Sequence, residues 1–246
     1  MTYCVGMMLD AGLVFMSDTR TNAGIDNISS FRKMTVWEEP GDRVITLLSS
    51  GNLATTQAVV SLLDERTKTP EDRQPSLLAA PSMFQAARLV AATLREVISQ
   101  HREGGQEAAS SFGATLILGG QIAGGPPRLF LIYPEGNFIE ASPDTPFFQI
   151  GETKYGRPIL VRAYNPAMGF EEAMRLLLVS FDSTVKANLS VGAPFDFHIY
   201  STDSLAVETR GRIDADDPYL LSISEGWGDA LKAALDRLPP FTLPAE

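Results

Sequence analysis

The chain has 246 residues, 44% of them hydrophobic and 20% charged, and a formal net charge of −10. That balance excludes wholesale disorder, and so acidic a chain lacks the phosphate-neutralising face a nucleic-acid partner requires. No apolar run approaches the roughly 20 residues of a spanning helix, and no signal pattern is present. Cys4 is the lone cysteine, so an internal disulfide is excluded, and a cytoplasmic protein without membrane contact is the expectation.

In chain order, Thr2 comes first. A small residue at position 2 normally lets Met1 be trimmed, which would make Thr2 the N-terminus. Its hydroxyl and free α-amine would then be one covalent unit, with the amine able to take the hydroxyl proton directly or through a water. An unperturbed α-amine titrates at about 7.7–8.0, so it can act as a base near neutrality. The plain structural alternative is that Thr2 merely begins an edge strand.

Residues 2–9 and 13–18 read as strands about a turn at Asp10-Ala11-Gly12. Antiparallel pairing would return Asp18 to a place opposite or diagonal to Thr2. Residues 19–30 read as a polar loop. A second hairpin, Lys33–Trp37 with Val44–Leu48, turns at Pro40-Gly41-Asp42. Ser49-Ser50-Gly51-Asn52 ends it and starts a helix marked by Leu53, Thr56, Val59, Val60 and Leu63. Residues 67–81 read as a connection.

Ser82-Met83-Phe84-Gln85 is a capping-box pattern. The helix it starts carries Phe84, Ala87, Val90, Ala91, Leu94, Val97 and Ile98 on one face and should end near His101. Strands follow at Phe112–Leu118 and Leu129–Tyr133, with short pieces near Phe138 and Phe147. The glycine-rich run 119–126 is a hairpin connection; without a following helix it is no phosphate loop. Pro158 starts or bends a short helix, and Phe170 to Phe181 form another. Phe195, Phe197 and Ile199 alternate with Asp196, His198 and Tyr200 as in a half-buried strand. A hairpin over Leu205–Arg212 and a helix opened by Asp217-Pro218 complete the chain. The last helix has Leu220, Ile223, Trp227, Leu231, Ala234 and Leu238 on its apolar face.

Strands outnumber βαβ units, so a parallel doubly wound sheet fits badly. The expected class is α+β: two antiparallel sheets face to face, flanked by helices in a four-layer αββα sandwich that uses every amphipathic helix. With neither repeat nor long linker, residues 1–246 read as one domain.

Thr2-Tyr3-Cys4-Val5-Gly6, Val14 to Arg20, Phe31-Arg32-Lys33-Met34 and Ser50-Gly51-Asn52 together resemble the proteasome-type β-subunits of the N-terminal-nucleophile hydrolases. Gly151 to Gly156 (Gly-Glu-Thr-Lys-Tyr-Gly) and the Met-Thr start are similar to the Anbu (ancestral β-subunit) group. The resemblance implies Thr2 as nucleophile, Asp18 and Lys33 as its charged partners, and the Gly51 backbone N–H as an oxyanion donor. Arg20, Glu152 and Asn188 are candidates for lining the site. The chemistry agrees: the Lys33 cation would stabilise an alkoxide and lower the amine pKa, and a glycine leaves the oxyanion position open. An inter-strand ion pair and a strand-to-helix turn are the plain alternatives for these residues.

The chain departs from the active pattern at Glu152, Asn188 and Val191, where the family carries Ser, Asp and Ser. Asn188 could still accept a bond from the amine; Val191 cannot. A Glu152 that faced Thr2 would favour the ammonium and weaken the base.

Cys4 reads as a small buried residue, and two histidines with one cysteine give no metal-ligand spacing. Asp214, Asp216 and Asp217 read as helix-start capping and solvation, and Glu38-Glu39 as part of a turn. Neither a metal nor another cofactor is expected.

The leading functional expectation is a threonine peptidase acting on peptides or unfolded protein within a ring or spiral of identical subunits. A weakly active or silent shell or adaptor and a small-molecule amidase are the alternatives. The sequence identifies no partner ATPase.

Overall fold

The computed structural model describes residues 2–22, 28–68, 75–100 and 112–243. Two five-stranded antiparallel sheets lie face to face. The first runs β10 (Phe147–Gly151), β1 (Tyr3–Leu9), β2 (Gly12–Asp18), β11 (Phe195–Ser201) and β12 (Thr209–Ile213). The second runs β5 (Met34–Glu39), β6 (Arg43–Gly51), β7 (Ala114–Ile122), β8 (Arg128–Ile132) and β9 (Phe138–Glu140). Helices α1 (Leu53–Lys68) and α2 (Met83–Gln100) cover the second sheet. Helices α3 (Arg157–Ala163) and α4 (Phe170–Ala187) cover the first, and α5 (Pro218–Asp236) packs beside α4. The expected αββα sandwich is therefore present.

Three apolar layers hold it together. Leu47, Leu116 and Phe130 meet Val59, Val90 and Leu94 on one outer face. Tyr3, Val5 and Met16 meet Leu177 and Phe181 on the other. Cys4, Leu13, Phe15, Leu48 and Ile117 fill the space between the sheets. Because β1 and β2 are covered on both faces, they read as continuous hydrophobic runs rather than alternating ones.

Local signals place the helices. The Asn52 side chain accepts from the Thr55 N–H at 3.1 Å, and Ser82 Oγ accepts from the Gln85 N–H at 3.3 Å, satisfying orphan donors at the starts of α1 and α2. Asp217 accepts from the Tyr219 and Leu220 N–H groups, and Pro218 supplies the preset first turn of α5.

Several expectations need correcting. The polar stretch 19–30 is not wholly loop: β3 (Arg20–Asn22) pairs with β4 (Ile28–Ser30). The glycine-rich run is not all connection, because β7 continues to Ile122. Gly119 lies where any Cβ would meet the Phe15 ring at 2.8 Å, so its missing side chain lets the sheets approach. Leu205–Arg212 is not a hairpin of its own; β12 pairs with β11. Phe84 is exposed at the rim of α2, edge-on to Phe138. The predicted end of α2 near His101 lies outside the described residues.

Two corrections matter more. In β11 the polar face is the deeper one. His198 and Tyr200 point between the sheets, while Phe197 and Ile199 pack only partly buried towards the helices. Polar side chains survive there because they find partners: Thr46 Oγ1 lies 2.8 Å from His198 Nδ1, and the Tyr200 hydroxyl donates to Gln121 Oε1 at 2.6 Å. In α5, by contrast, the apolar face is mostly uncovered. Leu220 is buried, but Leu231, Leu235 and Leu238 are exposed.

Burial lowers the His198 pKa from its ordinary value to about 4, with Arg210 adding to the effect. The ring is therefore neutral in the folded chain and titrates near its usual 6.5 once unfolded. Between those values the unfolded state binds more protons, so stability falls as pH drops from about 6.5 towards 4. A shift of this size corresponds to about 3 kcal/mol. Replacing His198 with Gln should flatten this part of the pH dependence relative to the parent, as read from urea midpoints between pH 4 and 7.

Candidate active site

The first hairpin positions the candidate nucleophile. Cys4 pairs with Ser17, so the register sets Asp18 against Tyr3, one step from Thr2. Asp18 Oδ1 accepts from the Tyr3 N–H at 3.0 Å. The expected delivery of a carboxylate to the chain start is thus realised through the backbone of the next residue.

Lys33 arrives from the other sheet. It immediately precedes β5, and its carbonyl accepts from the Ser49 N–H of β6 at 2.9 Å. Its ammonium donates to Asp18 Oδ1 at 2.6 Å and to the Arg20 carbonyl at 2.6 Å. Asp18 is fully buried and Lys33 is 6% exposed, so this ion pair bridges the sheets in a largely dry setting. Two of the ammonium protons are thereby placed, which leaves a third for the adjoining cleft. Burial raises the Asp18 pKa above the ordinary carboxylate value; Lys33 and the Tyr3 and Gly192 N–H groups pull it back without reversing it.

Thr2, Lys33 and Gly51 line one cleft of about 630 Å³. Gly51 ends β6 with φ +114°, and a Cβ there would fall 2.4 Å from the Gly113 carbonyl oxygen. Only glycine fits that turn. Gly151, with φ +84°, lies flat against the Thr2 carbonyl, where a Cβ would come within 1.9 Å of the oxygen. The next residue's N–H, that of Glu152, donates to the same oxygen at 2.6 Å. The start of β1 is thus clamped from both flanking strands.

The remaining predicted residues divide. Arg20 lends its carbonyl to Lys33 but turns its guanidinium away, donating to the Leu189 carbonyl at 2.8 Å. It packs so closely on Gly192 that a Cβ there would meet the guanidinium. The Glu152 carboxylate accepts from Asn188 Nδ2 at 2.9 Å. Asn188 Oδ1 is in turn occupied by the Ser190 N–H and hydroxyl, at 3.0 and 2.6 Å. Arg20, Glu152 and Asn188 are therefore not among the residues lining the cleft; they brace the segment 188–192 beside it. Val191 is fully buried in the outer apolar layer.

Two features escaped sequence reasoning. The Tyr3 hydroxyl lies 2.7 Å from Ser180 Oγ and accepts from Gln149 Nε2 at 2.5 Å. Ser180 donates on to the Gly156 carbonyl at 3.1 Å. This network moors the residue after Thr2 to α4, and burial pushes the Tyr3 pKa up to about 12. No short motif signals it, since 177 positions separate Tyr3 from Ser180. The second feature is Arg32, which lines the cleft beside Lys33. Cys4 is fully buried with its thiol towards the Ser49 carbonyl, and burial drives its pKa up, so it is no nucleophile. Among the described residues no cluster of His, Cys, Asp and Glu could hold a metal ion, and no helix is long and apolar enough to cross a membrane.

This geometry has a known relation. The family model described as proteasome subunit matches residues 2–199. The chain belongs to the proteasome subunit family. Within it, the likeness is to Anbu structures. Anbu from Yersinia bercovieri is 49% identical, with a TM-score of 0.91, over 98% of this chain and 100% of that one. An Anbu (Gly-1) mutant from Hyphomicrobium sp. strain MC1 is 51% identical, with a TM-score of 0.91, over 99% and 100%. The structure titled helical assembly of the Anbu complex from Pseudomonas aeruginosa is 48% identical, with a TM-score of 0.90, over 98% of each chain. The curated proteins offer no match. The likeness to Anbu (ancestral β-subunit) read from Thr2–Gly6 and Gly151–Gly156 therefore extends through the whole proteasome-type fold.

The Asp18–Lys33 pair makes a clear energetic prediction for this proteasome-type subunit. Lys33→Met strands a buried carboxylate and should cost about 3 to 5 kcal/mol. Adding Asp18→Asn should recover much of that loss, a non-additivity that urea unfolding of the two single variants and the double variant would measure.

Proposed function

We propose that this proteasome-type subunit is an N-terminal-threonine hydrolase that cleaves peptide bonds inside a homo-oligomeric assembly. The observation that supports this best is the buried Lys33 ammonium, gripped by Asp18 and the Arg20 carbonyl while it borders the same cleft as Thr2 and Gly51. In this reading Met1 is removed and the freed Thr2 amine takes the Thr2 hydroxyl proton. Oγ attacks the substrate carbonyl, and the Gly51 N–H receives the developing oxyanion. The amine's proton passes to the leaving amino group, giving an ester on Thr2. Water, deprotonated by the same amine, releases the acyl product. Lys33 lowers the cost of the alkoxide, and Asp18 keeps Lys33 charged and in place. Residues 1–246 act as one domain, in the cytoplasm.

Thr2→Ala should abolish acyl transfer while leaving fold and assembly intact. The check is intact mass after treatment with a threonine-directed electrophile, together with peptide turnover. One adduct per chain that is lost in Thr2→Ala supports the reading, and turnover restricted to small amides would redirect it to an amidase. Retention of Met1 on the cellular protein would leave the base blocked and end the hydrolase reading.

Asn188 favours a second reading, that of an assembled shell whose site is silent. Its acceptor oxygen is spent on Ser190 and its donor on Glu152, so it offers the amine no acceptor. An unlabelled but assembled protein would identify this case.

Both readings require self-association, and α5 supplies a surface for it. Leu231, Leu235 and Leu238 are exposed, and so are Phe241 and Leu243 beyond the helix, an apolar area costly to leave in water. Leu231→Glu with Leu235→Glu should shift sedimentation to smaller species without lowering the thermal midpoint by more than a few degrees. An unchanged distribution would place the interface elsewhere.

A further inference from the structure

We propose that Arg32 makes this cleft select peptides with an acidic side chain, glutamate above all, on the residue whose carbonyl is attacked. The inference rests on the hydrolase reading for the word attacked, but the binding preference can be measured without any catalysis.

Lys33 is committed to Asp18 and the Arg20 carbonyl. Arg20 is committed to Leu189 and faces away from the cleft. Arg32 is exposed, lines the cleft, and has neither an ion pair nor a hydrogen bond with any described residue. No described lining residue of the cleft is Asp or Glu. On a chain with a net charge of −10, a guanidinium that no described residue neutralises, in a cleft with no described acidic lining, is a local reversal of sign. Such a reversal attracts a carboxylate that the rest of the surface repels.

The rest of the lining fits the stem of a glutamate. Leu53 and Val60 give the same cleft apolar side chains for its methylenes, and Thr21, Gln57 and Ser61 add polar but uncharged ones. A guanidinium can grip that carboxylate through two parallel N–H bonds, which an amide of the same shape cannot match. Glutamine at the same position is therefore the fair competitor.

The experiment uses fluorogenic peptides identical except for Glu, Gln or Lys at the residue that supplies the cleaved carbonyl. Glu should exceed Gln by about tenfold in kcat/KM, and the ratio should shrink with added salt as screening grows. Arg32→Gln should bring the ratio close to one, and Arg32→Glu should favour the Lys peptide instead. A Glu/Gln ratio at or below one in the parent, or a preference that survives Arg32→Gln, overturns the proposal. A second arm measures binding of the same peptides to Thr2→Ala by fluorescence anisotropy, with and without Arg32→Gln. Arg32-dependent binding of the Glu peptide to Thr2→Ala, together with no turnover of any of the peptides by the parent, keeps this inference and removes the hydrolase reading. Turnover without acid preference does the reverse.

Discussion

The contact on which the rest depends is the buried ion pair between Lys33 and Asp18. One partner comes from the lead-in to β5 in the second sheet and the other from the end of β2 in the first. Isolated in a dry interior, either charge would be costly; together they tie the central strand of the first sheet to the edge of the second at one end of the sandwich. Asp18 also accepts the Tyr3 N–H, and Tyr3 is moored to α4 through Ser180. A single carboxylate therefore joins the strand of the candidate nucleophile, the lysine and, by way of Tyr3, an outer helix. Displacing any of these would move Thr2.

Around that pair the backbone leaves little slack. Gly151 presses against the Thr2 carbonyl, Glu152 donates to it, and Gly51 closes the opposite wall in a conformation closed to other residues. Preorganisation of this kind suits electrostatic catalysis, because groups aimed in advance need no rearrangement as charge develops. The same rigidity also suits a shell that no longer reacts. What separates the two is the amine and its acceptors, since Asn188 is turned inward to Glu152 and Ser190 rather than towards Thr2. In the proposed hydrolase, the amine would then lean on Lys33, water and the Thr2 hydroxyl itself.

Charge and exposure give the molecule a direction. The chain is acidic, the cleft carries Arg32 with no partner among the described residues, and the last helix presents leucines to solvent. Self-association that covers the leucines would remove that exposed apolar area from water.

Much of the architecture was legible in the residue order, because strands and helices declare themselves locally. The first hairpin, the capping at Ser82 and Asp217, and the αββα class all follow from turn chemistry and apolar spacing, which act over a few residues. Thr2, Asp18, Lys33 and Gly51 came forward as candidates through the joint resemblance of short motifs to the proteasome-type subunits, and three of them, Thr2, Lys33 and Gly51, line one cleft. Tertiary structure alone decided which of the other candidates face the cleft. Arg20, Glu152 and Asn188 turn to one another's neighbourhood because backbone carbonyls and side-chain amides there satisfy them first. It also decided that β11 buries its polar face, since Thr46 and Gln121 lie across the sheet interface to receive His198 and Tyr200. It left α5 open, because Leu220 already meets the outer layer and no further element of the described chain lies over its remaining leucines. Periodicity states that a helix has an apolar side; only the assembled neighbours determine whether anything covers it.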